Sequence, residues 1–372
     1  MANGFGLYVH WPFCQAKCPY CDFNSHVTAQ IDQARWLAAY ESEIARVRDD
    51  SGPRVLNSIF FGGGTPSLME GDTVAGIIAA ARAAWSPAND IEITLEANPT
   101  SVEAARFRAY ADAGVNRVSI GVQSLRDDHL KALGRLHSAD EARRAVETAE
   151  KHFPRVSFDL IYGRQHQALA DWKEELTEAL QMAAGHLSLY HLTIEPDTAF
   201  GDRHARGRLP GLPDEDLSAD MFDLTQDMTG AAGLPMYEIS NHSTPGAESI
   251  HNLIYWRSGD WAGVGPGAHG RLTLGGERNA TECHMAPSAW LKAVESNRDG
   301  TSLRRVLAHE DARIEAVMMG LRLAEGVPAS LLTNVSKINE LEDLRLLESD
   351  DTTVRVTPRG RPLLNAVLRD LL

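Results

Sequence analysis

From Phe5 to Ile194 the chain repeats one unit: a short β-branched or aromatic run, a break, then a stretch with helical apolar spacing. Predicted strands fall at Phe5–Trp11, Val55–Phe61, Asp90–Leu95, Arg117–Val122, Arg155–Tyr162 and His186–Ile194. Predicted helices fill Asp32–Arg48, Asp72–Trp85, Ser101–Ala113, Ser138–His152 and Leu169–Ala183. Asp72 or Thr73 would cap the second helix, and Ser138 with Glu141 forms a capping-box pattern on the fourth. Strands separated by helices, at a spacing of about 30 residues, require a parallel sheet with crossover connections. No sequence motif recurs from unit to unit, so the period is not that of a solenoid. Six units fall short of an eight-stranded barrel of ~250 residues. The fold class expected is α/β, an open (β/α)6 partial barrel.

In barrels the C-terminal ends of the strands converge on one face, where active sites are built. Here the first strand runs into the cysteine loop and the second into Gly62-Gly63-Gly64-Thr65. The third ends at Glu96 and the fourth at Gln123, and Asp159 lies late in the fifth. A structural turn would explain any one of these. Their joint placement predicts a single polar cavity. The Gly-run has no following Lys and no G-x-G-x-x-G spacing, so it is neither a Walker loop nor a dinucleotide fingerprint.

Three of the four cysteines stand in the spacing Cys14-x3-Cys18-x2-Cys21. Three thiolates on a short loop suit three corners of a [4Fe–4S] cube and leave the fourth iron open. A structural zinc site wants four ligands, and His10 or His26 would have to supply the missing one. A disulfide is not expected in a chain that begins without a secretory signal. The compartment expected is the reducing cytoplasm. Cys283 stands alone and reads as a buried thiol. No apolar run is long enough to span a bilayer. The net charge of −15 argues against broad phosphate-backbone binding, so no nucleic-acid partner is expected.

The cysteine spacing, with Tyr20 before the third cysteine and a strand just ahead, resembles the signature of the radical S-adenosylmethionine (SAM) superfamily. That resemblance implies a (β/α)6 core and a cluster bound by Cys14, Cys18 and Cys21. Its open iron would take the amino and carboxylate groups of SAM, which an electron from the cluster then cleaves to a deoxyadenosyl radical. The residues also resemble the coproporphyrinogen branch of the superfamily, including the Gln-x11-Arg spacing between Gln123 and Arg135. On that resemblance Gly63, Gly64 and Thr65 meet the methionine moiety, and Glu96 meets its positive charge. Gln123 and Arg135 would hold the carboxylate and ribose, Asp159 would accept from ribose hydroxyls, and Tyr8 and Tyr20 would cover the methionine and adenine.

From about Leu209 the alternation stops, and Pro210, Pro213 and Asp214-Glu215-Asp216 mark a boundary. Two domains are expected: 1–208, the partial barrel, and 209–372, a smaller mixed α/β domain. Its predicted helices are Asp214–Ala232 and His309–Leu323. Thr352–Leu372 reads as a hairpin and helix, a winged-helix-like unit. The string His251-Asn252-Leu253-Ile254-Tyr255-Trp256 resembles the haem-binding motif of HemW-type haem chaperones. On a helix, His251 and Tyr255 would share a face at i, i+4. On the resemblance, His251, Asn252, Tyr255 and Trp256 would bind haem as cargo. The same residues would equally make an aromatic helix packed on the barrel. Gly263–His269 is a turn that either approaches a ligand or simply turns.

Two activities fit. One is a haem chaperone that delivers haem to apo-haem proteins. The other is an oxygen-independent coproporphyrinogen III dehydrogenase. The dehydrogenases carry a further Cys two places after the third, where this chain has Phe23, and an N-terminal extension where only seven residues precede Tyr8. Those departures and the His251 string favour the chaperone. A homodimer, peripheral membrane contact, covalent attachment of haem and productive cleavage of SAM are left open by the sequence.

Overall fold

The computed structural model describes residues 4–28, 30–99 and 104–372. Six parallel strands follow one another in space as in sequence: β1 (Phe5–Trp11), β2 (Val55–Gly63), β3 (Ser86–Ala97), β4 (Arg117–Gln123), β5 (Arg155–Tyr162) and β6 (His186–His191). Helices α1 (Gln33–Ser51), α2 (Gly71–Ala84), α3 (Ala104–Ala113), α4 (Asp127–Ala132), α5 (Ala139–Glu150) and α6 (Leu169–Met182) connect them. The expected (β/α)6 partial barrel is what forms.

Side chains alternate across each strand. The outward set, including Leu7, Val9, Ile59, Phe61, Ile93, Leu95, Val118, Ile120, Phe158 and Leu187, packs on the helices in one large core. Trp36, Tyr40 and Ile44 of α1 and Trp172 of α6 complete that layer. The inward set is polar, and this sets up the site described below.

The chain beyond residue 209 adds strands to both edges of the same sheet. After α7 (Ala199–Ala205) and α8 (Glu215–Ala231), β7 (Met236–Glu238) and β8 (Asn241–Ser243) extend it beyond β6. Helix α9 (Ile250–Trp256) then leads to β9 (Asp260–Val264), which pairs parallel to β1. The antiparallel strands β10 (His269–Leu274), β11 (Glu277–Cys283) and β12 (Thr301–Val306) follow outward, with α10 (Pro287–Asn297) between the last two. Among the described residues the sheet totals 12 strands. A second, smaller core gathers Val317, Leu321, Leu341, Leu347, Val354 and Leu368. It contains α11 (His309–Gly320), α12 (Val335–Asp343), the hairpin of β13 (Leu347–Ser349) and β14 (Thr353–Val356), and α13 (Leu364–Leu371).

Several boundaries differ from expectation. Helix α2 has Glu70 at its N-cap position with no side-chain capping bond, and Asp72 and Thr73 lie inside its first turn. The capping box at Ser138 and Glu141 is present. Strand β6 stops at His191, three residues early, and the terminal hairpin starts at Leu347. The predicted start of the third helix at Ser101 lies outside the described residues. Among the described residues no helix is long and apolar enough to cross a membrane.

The lower mouth of the barrel, at the strand N-termini, is closed by α9. Its anchor is Glu92, a fully buried carboxylate on β3. Glu92 accepts from the backbone of Ile250 (3.2 Å) and His251 (3.0 Å) and from the Ser249 hydroxyl (3.3 Å). It also pairs with Arg155 at 2.8 Å and Arg117 at 4.0 Å. Removing one partner of a buried pair strands the others in low dielectric. Glu92→Ala should therefore lower the unfolding free energy by about 3–5 kcal/mol. Glu295→Ala, which breaks an exposed pair with Arg35, should leave the urea midpoint unchanged. Urea titrations of both variants measure the contrast.

Candidate functional site

At the opposite end of the barrel, one cavity collects residues from six separate places in the sequence. Cys14, Cys18 and Cys21, Tyr20 and Phe23 line it, with Gly63, Gly64 and Thr65 after β2. Glu96, Gln123, Arg135 and Asp159 complete the predicted set, and Asn98, Ser119 and Gly121 join them. Convergence of strand C-termini is what brings them together. Of the residues expected at the SAM end, only Tyr8 does not line the cavity. It lies underneath, its hydroxyl 3.0 Å from His10 Nδ1 and its ring stacked near Phe60.

The three cysteines are free thiols. Burial pushes the Cys14 and Cys21 thiols up, so metal ligation would have to displace their protons. Thr65 Oγ1 donates to Cys14 Sγ at 3.4 Å, and Arg135 Nη1 donates to Cys18 Sγ at 3.2 Å. Neither histidine weighed as a fourth ligand faces the cavity. His10 has both nitrogens engaged, by Tyr8 and by the Asn24 carbonyl at 2.9 Å. His26 is not among the lining residues.

The glycines at the end of β2 are required for two distinct reasons. Gly63 sits at φ +106°, and a Cβ there would meet the His10 ring at 2.7 Å. A Cβ on Gly64 would meet the Phe13 carbonyl at 2.6 Å. The turn is thus pressed onto the cysteine loop, to which Gly64 and Thr65 donate backbone hydrogen bonds (to Trp11 O at 2.7 Å, to Phe13 O at 2.8 Å).

The polar groups at the cavity are incompletely satisfied. Gln123 is held at φ +67°, and its buried Oε1 has no hydrogen-bond partner among the described residues. Arg135 Nε is likewise buried without one, although its Nη2 donates to the Gly121 carbonyl at 3.0 Å. Glu96 accepts from the Gly63 amide, but no cation among the described residues pairs with it. Burial, then the nearby Asp159, pushes its carboxyl up to about 8. Burial also pushes Asp159 up to about 6, even though Ser119 donates to it at 3.1 Å. Buried polar groups are normally paired. An acceptor, a guanidinium edge and a carboxyl without an ion-pair partner among the described residues, all on one cavity, fit a ligand carrying a carboxylate and a positive charge, beside three thiols. SAM on an open iron has those groups, so the residues present fit it.

The His251 string lies elsewhere. Helix α9 plugs the barrel floor, and His251 is 1% exposed. Ser58 Oγ is 2.7 Å from its Nδ1 and the Tyr255 hydroxyl 2.7 Å from its Nε2. Phe60 stacks on the ring at 5.0 Å. Burial, with a contribution from Arg117, pushes its pKa down to about 3. Asn252, Tyr255 and Trp256 are half-buried. In this fold the string is the aromatic helix packed on the barrel that the sequence also allowed. The turn Gly263–His269 braces the cysteine loop: a Cβ on Gly267 would meet the Asn24 amide at 2.5 Å, and Gly265 Cβ would meet the His10 carbonyl at 2.4 Å. Glu92, Arg117 and Asn24 went unrecognised in the sequence. The available signal was the strict polar/apolar alternation of strands such as Arg117-Val-Ser-Ile-Gly-Val-Gln123.

The pH dependence of stability tests the cavity electrostatics. Glu96 goes from 4.5 to about 8 on folding, so the folded state keeps a proton that the unfolded chain gives up. Stability contributed by this group is present below its unfolded value and lost as pH rises toward about 8. Glu96→Gln should gain stability relative to the parent as pH rises from about 5 to about 8. Paired urea midpoints across that range check it; a constant difference would contradict it.

The comparisons agree with this geometry. Residues 8–179 match the radical SAM superfamily and residues 307–363 the HemN C-terminal domain. The heme chaperone HemW of Escherichia coli is 40% identical, over 87% of this chain and 83% of that protein. HemW of Haemophilus influenzae is 35% identical, over 97% and 96%. The mitochondrial radical S-adenosyl methionine domain-containing protein 1 of Bos taurus is 39% identical, over 98% and 87%. The solved coproporphyrinogen III oxidase HemN of Escherichia coli shares the fold, with a TM-score of 0.83 at 21% identity, over 99% of this chain and 90% of that one. The chain therefore belongs to the radical SAM superfamily, in its coproporphyrinogen-oxidase-like family and among the HemW-type proteins.

Proposed function

We propose that this protein binds haem and passes it to apo-haem proteins, and that it carries a SAM-ligated [4Fe–4S] cluster in a reducing compartment. Position 23 carries the choice between the two activities considered. The dehydrogenase pattern has a cysteine there; this chain has Phe23, 57% exposed at the cavity mouth. Kinship over nearly the whole chain with relatives named heme chaperones supports the same choice.

In this reading Cys14, Cys18 and Cys21 hold three corners of the cluster. Glu96 holds the amino group of SAM, and Gln123 and Arg135 hold its carboxylate and ribose edge. Asp159 accepts from the ribose, and Tyr20 and Phe23 shield the mouth from water. When bound, the cluster supplies a single electron and SAM a carbon–sulfur bond that such an electron can break. His251 is the haem-iron ligand of this reading, and imidazole is an ordinary axial ligand. Its ring reaches an iron only after leaving Tyr255 or Ser58.

Anaerobically prepared protein should bind haem in a spectroscopic titration and leave coproporphyrinogen III unconverted. Measurable conversion would overturn the chaperone reading. His251→Ala should weaken haem binding by at least about ten-fold, with the melt recorded alongside to separate this from loss of the floor. Unchanged affinity would remove His251 from the haem site.

A further inference from the structure

With His251 sealed, His26 offers a half-buried imidazole on the strand that pairs with the start of the cysteine loop. Its backbone is fixed: His26 and Val27 pair with Phe13 and Cys14 in a two-stranded ribbon. The tautomer is fixed as well. Asn24 Nδ2 donates to two carbonyls, Pro266 O at 3.0 Å and Met285 O at 2.8 Å. That orients Asn24 Oδ1 toward His26 Nε2, 3.1 Å away. A carbonyl oxygen only accepts, so Nε2 carries the proton. In that tautomer the lone pair is on Nδ1, which no described group bonds. An imidazole whose second nitrogen donates to a carbonyl is the arrangement that orients metal-ligating histidines.

The surroundings are apolar and uncovered. Phe23 is 57% exposed, Val27 60% and Met285 67%, among the most exposed large apolar side chains of the described residues. The Asn24 amide ties these together, since it bonds both His26 and the Met285 backbone. An oriented imidazole nitrogen on a short loop that also exposes Phe23, and that is tied through Asn24 to the backbone of the exposed Met285, suits a flat apolar ring carrying a metal at its centre.

We infer that haem is first captured at this outer rim of the cysteine loop, with His26 Nδ1 as its first iron ligand and Phe23 and Met285 against the porphyrin. The inference rests on the haem-binding reading above. It adds an entry site distinct from the floor helix.

Stopped-flow mixing of haem with the cluster-loaded protein tests it. His26→Gln keeps an N–H for Asn24 Oδ1 but has no imidazole lone pair, so the loop should hold its shape. Capture should slow by at least about ten-fold in His26→Gln, with cluster absorbance and melting midpoint unchanged. His26→Ala should slow it equally and recover when free imidazole is added. Met285→Ser should slow capture to a lesser extent. Wild-type capture rates in His26→Gln would overturn the inference, as would normal capture with slowed transfer to an apo-haem protein, which would assign the rim to the recipient. Failure of the parent protein to bind any haem would instead defeat the chaperone reading itself.

Discussion

The barrel lumen must satisfy a row of polar side chains that cannot reach water, and the whole site follows from where that succeeds and where it fails. At the floor it succeeds for the charged groups and for His186. Glu92 is shared among Arg155, Arg117 and the start of α9, and His186 bonds Ser157 at 2.8 Å and Tyr237 at 3.0 Å. At the roof it fails: Gln123 Oε1 and Arg135 Nε have no described partner, and Glu96 and Asp159 are pushed toward their protonated forms. An unpaired buried polar group costs about 1–3 kcal/mol. A protein that leaves several on one surface has built a surface that a ligand completes. The three thiols on that same surface say what kind of ligand.

The cysteine loop is positioned largely from the second half of the chain. Asn24 is held by the carbonyls of Pro266 and Met285, and the His10 carbonyl accepts from Tyr40 at 2.6 Å. Behind them, the buried Glu43 accepts from the Gly265 and Gly300 amides, both at 2.9 Å, and from the Trp290 indole. Burial pushes Glu43 up to about 7 despite those donors. The turn Gly263–His269 therefore acts as a brace. A segment nearly 250 residues downstream in sequence sets the shape of the cysteine loop, so the two ends of the chain work as one structural unit.

The sequence made the barrel legible because each outward face is a run of Val, Ile, Leu and Phe at strand spacing, broken by amphipathic helices. It made the cavity legible because functional groups sit at strand ends, where a polar residue in an apolar context stands out. The lumen was harder to read. Glu92, Arg117 and His186 lie within strands, and their polarity looks like solvent exposure until closure of the sheet turns that face inward. Likewise β9 was invisible as a barrel-edge strand: Asp260–Val264 is five residues long, and only its parallel pairing with β1 gives it meaning. The string at His251 shows the limit most clearly. Its spacing specifies a shared helix face, but whether that face meets a ligand or the barrel depends on Ser58 and Phe60, which are some 190 residues away in sequence.

That distant packing bears on how haem could reach His251 at all. Taking the ring out of the floor breaks hydrogen bonds to Ser58 and Tyr255 and the stack with Phe60, and it strips cover from Glu92. At about 1 kcal/mol per buried hydrogen bond, and more for any group left unpaired, iron ligation must offset a cost of several kcal/mol before it shows as affinity. Tyr8 adds to it: this residue stands between the two ends of the lumen, bonded to His10 above, with its ring 6.4 Å from His251 below. Tyr8 thus packs between the floor and His10, which lies under the cysteine loop. An encounter at a surface imidazole carries none of these costs, because His26 Nδ1 is free and its orientation is already set by Asn24. On the proposed haem reading, capture outside the barrel would thus precede a slower opening of the floor.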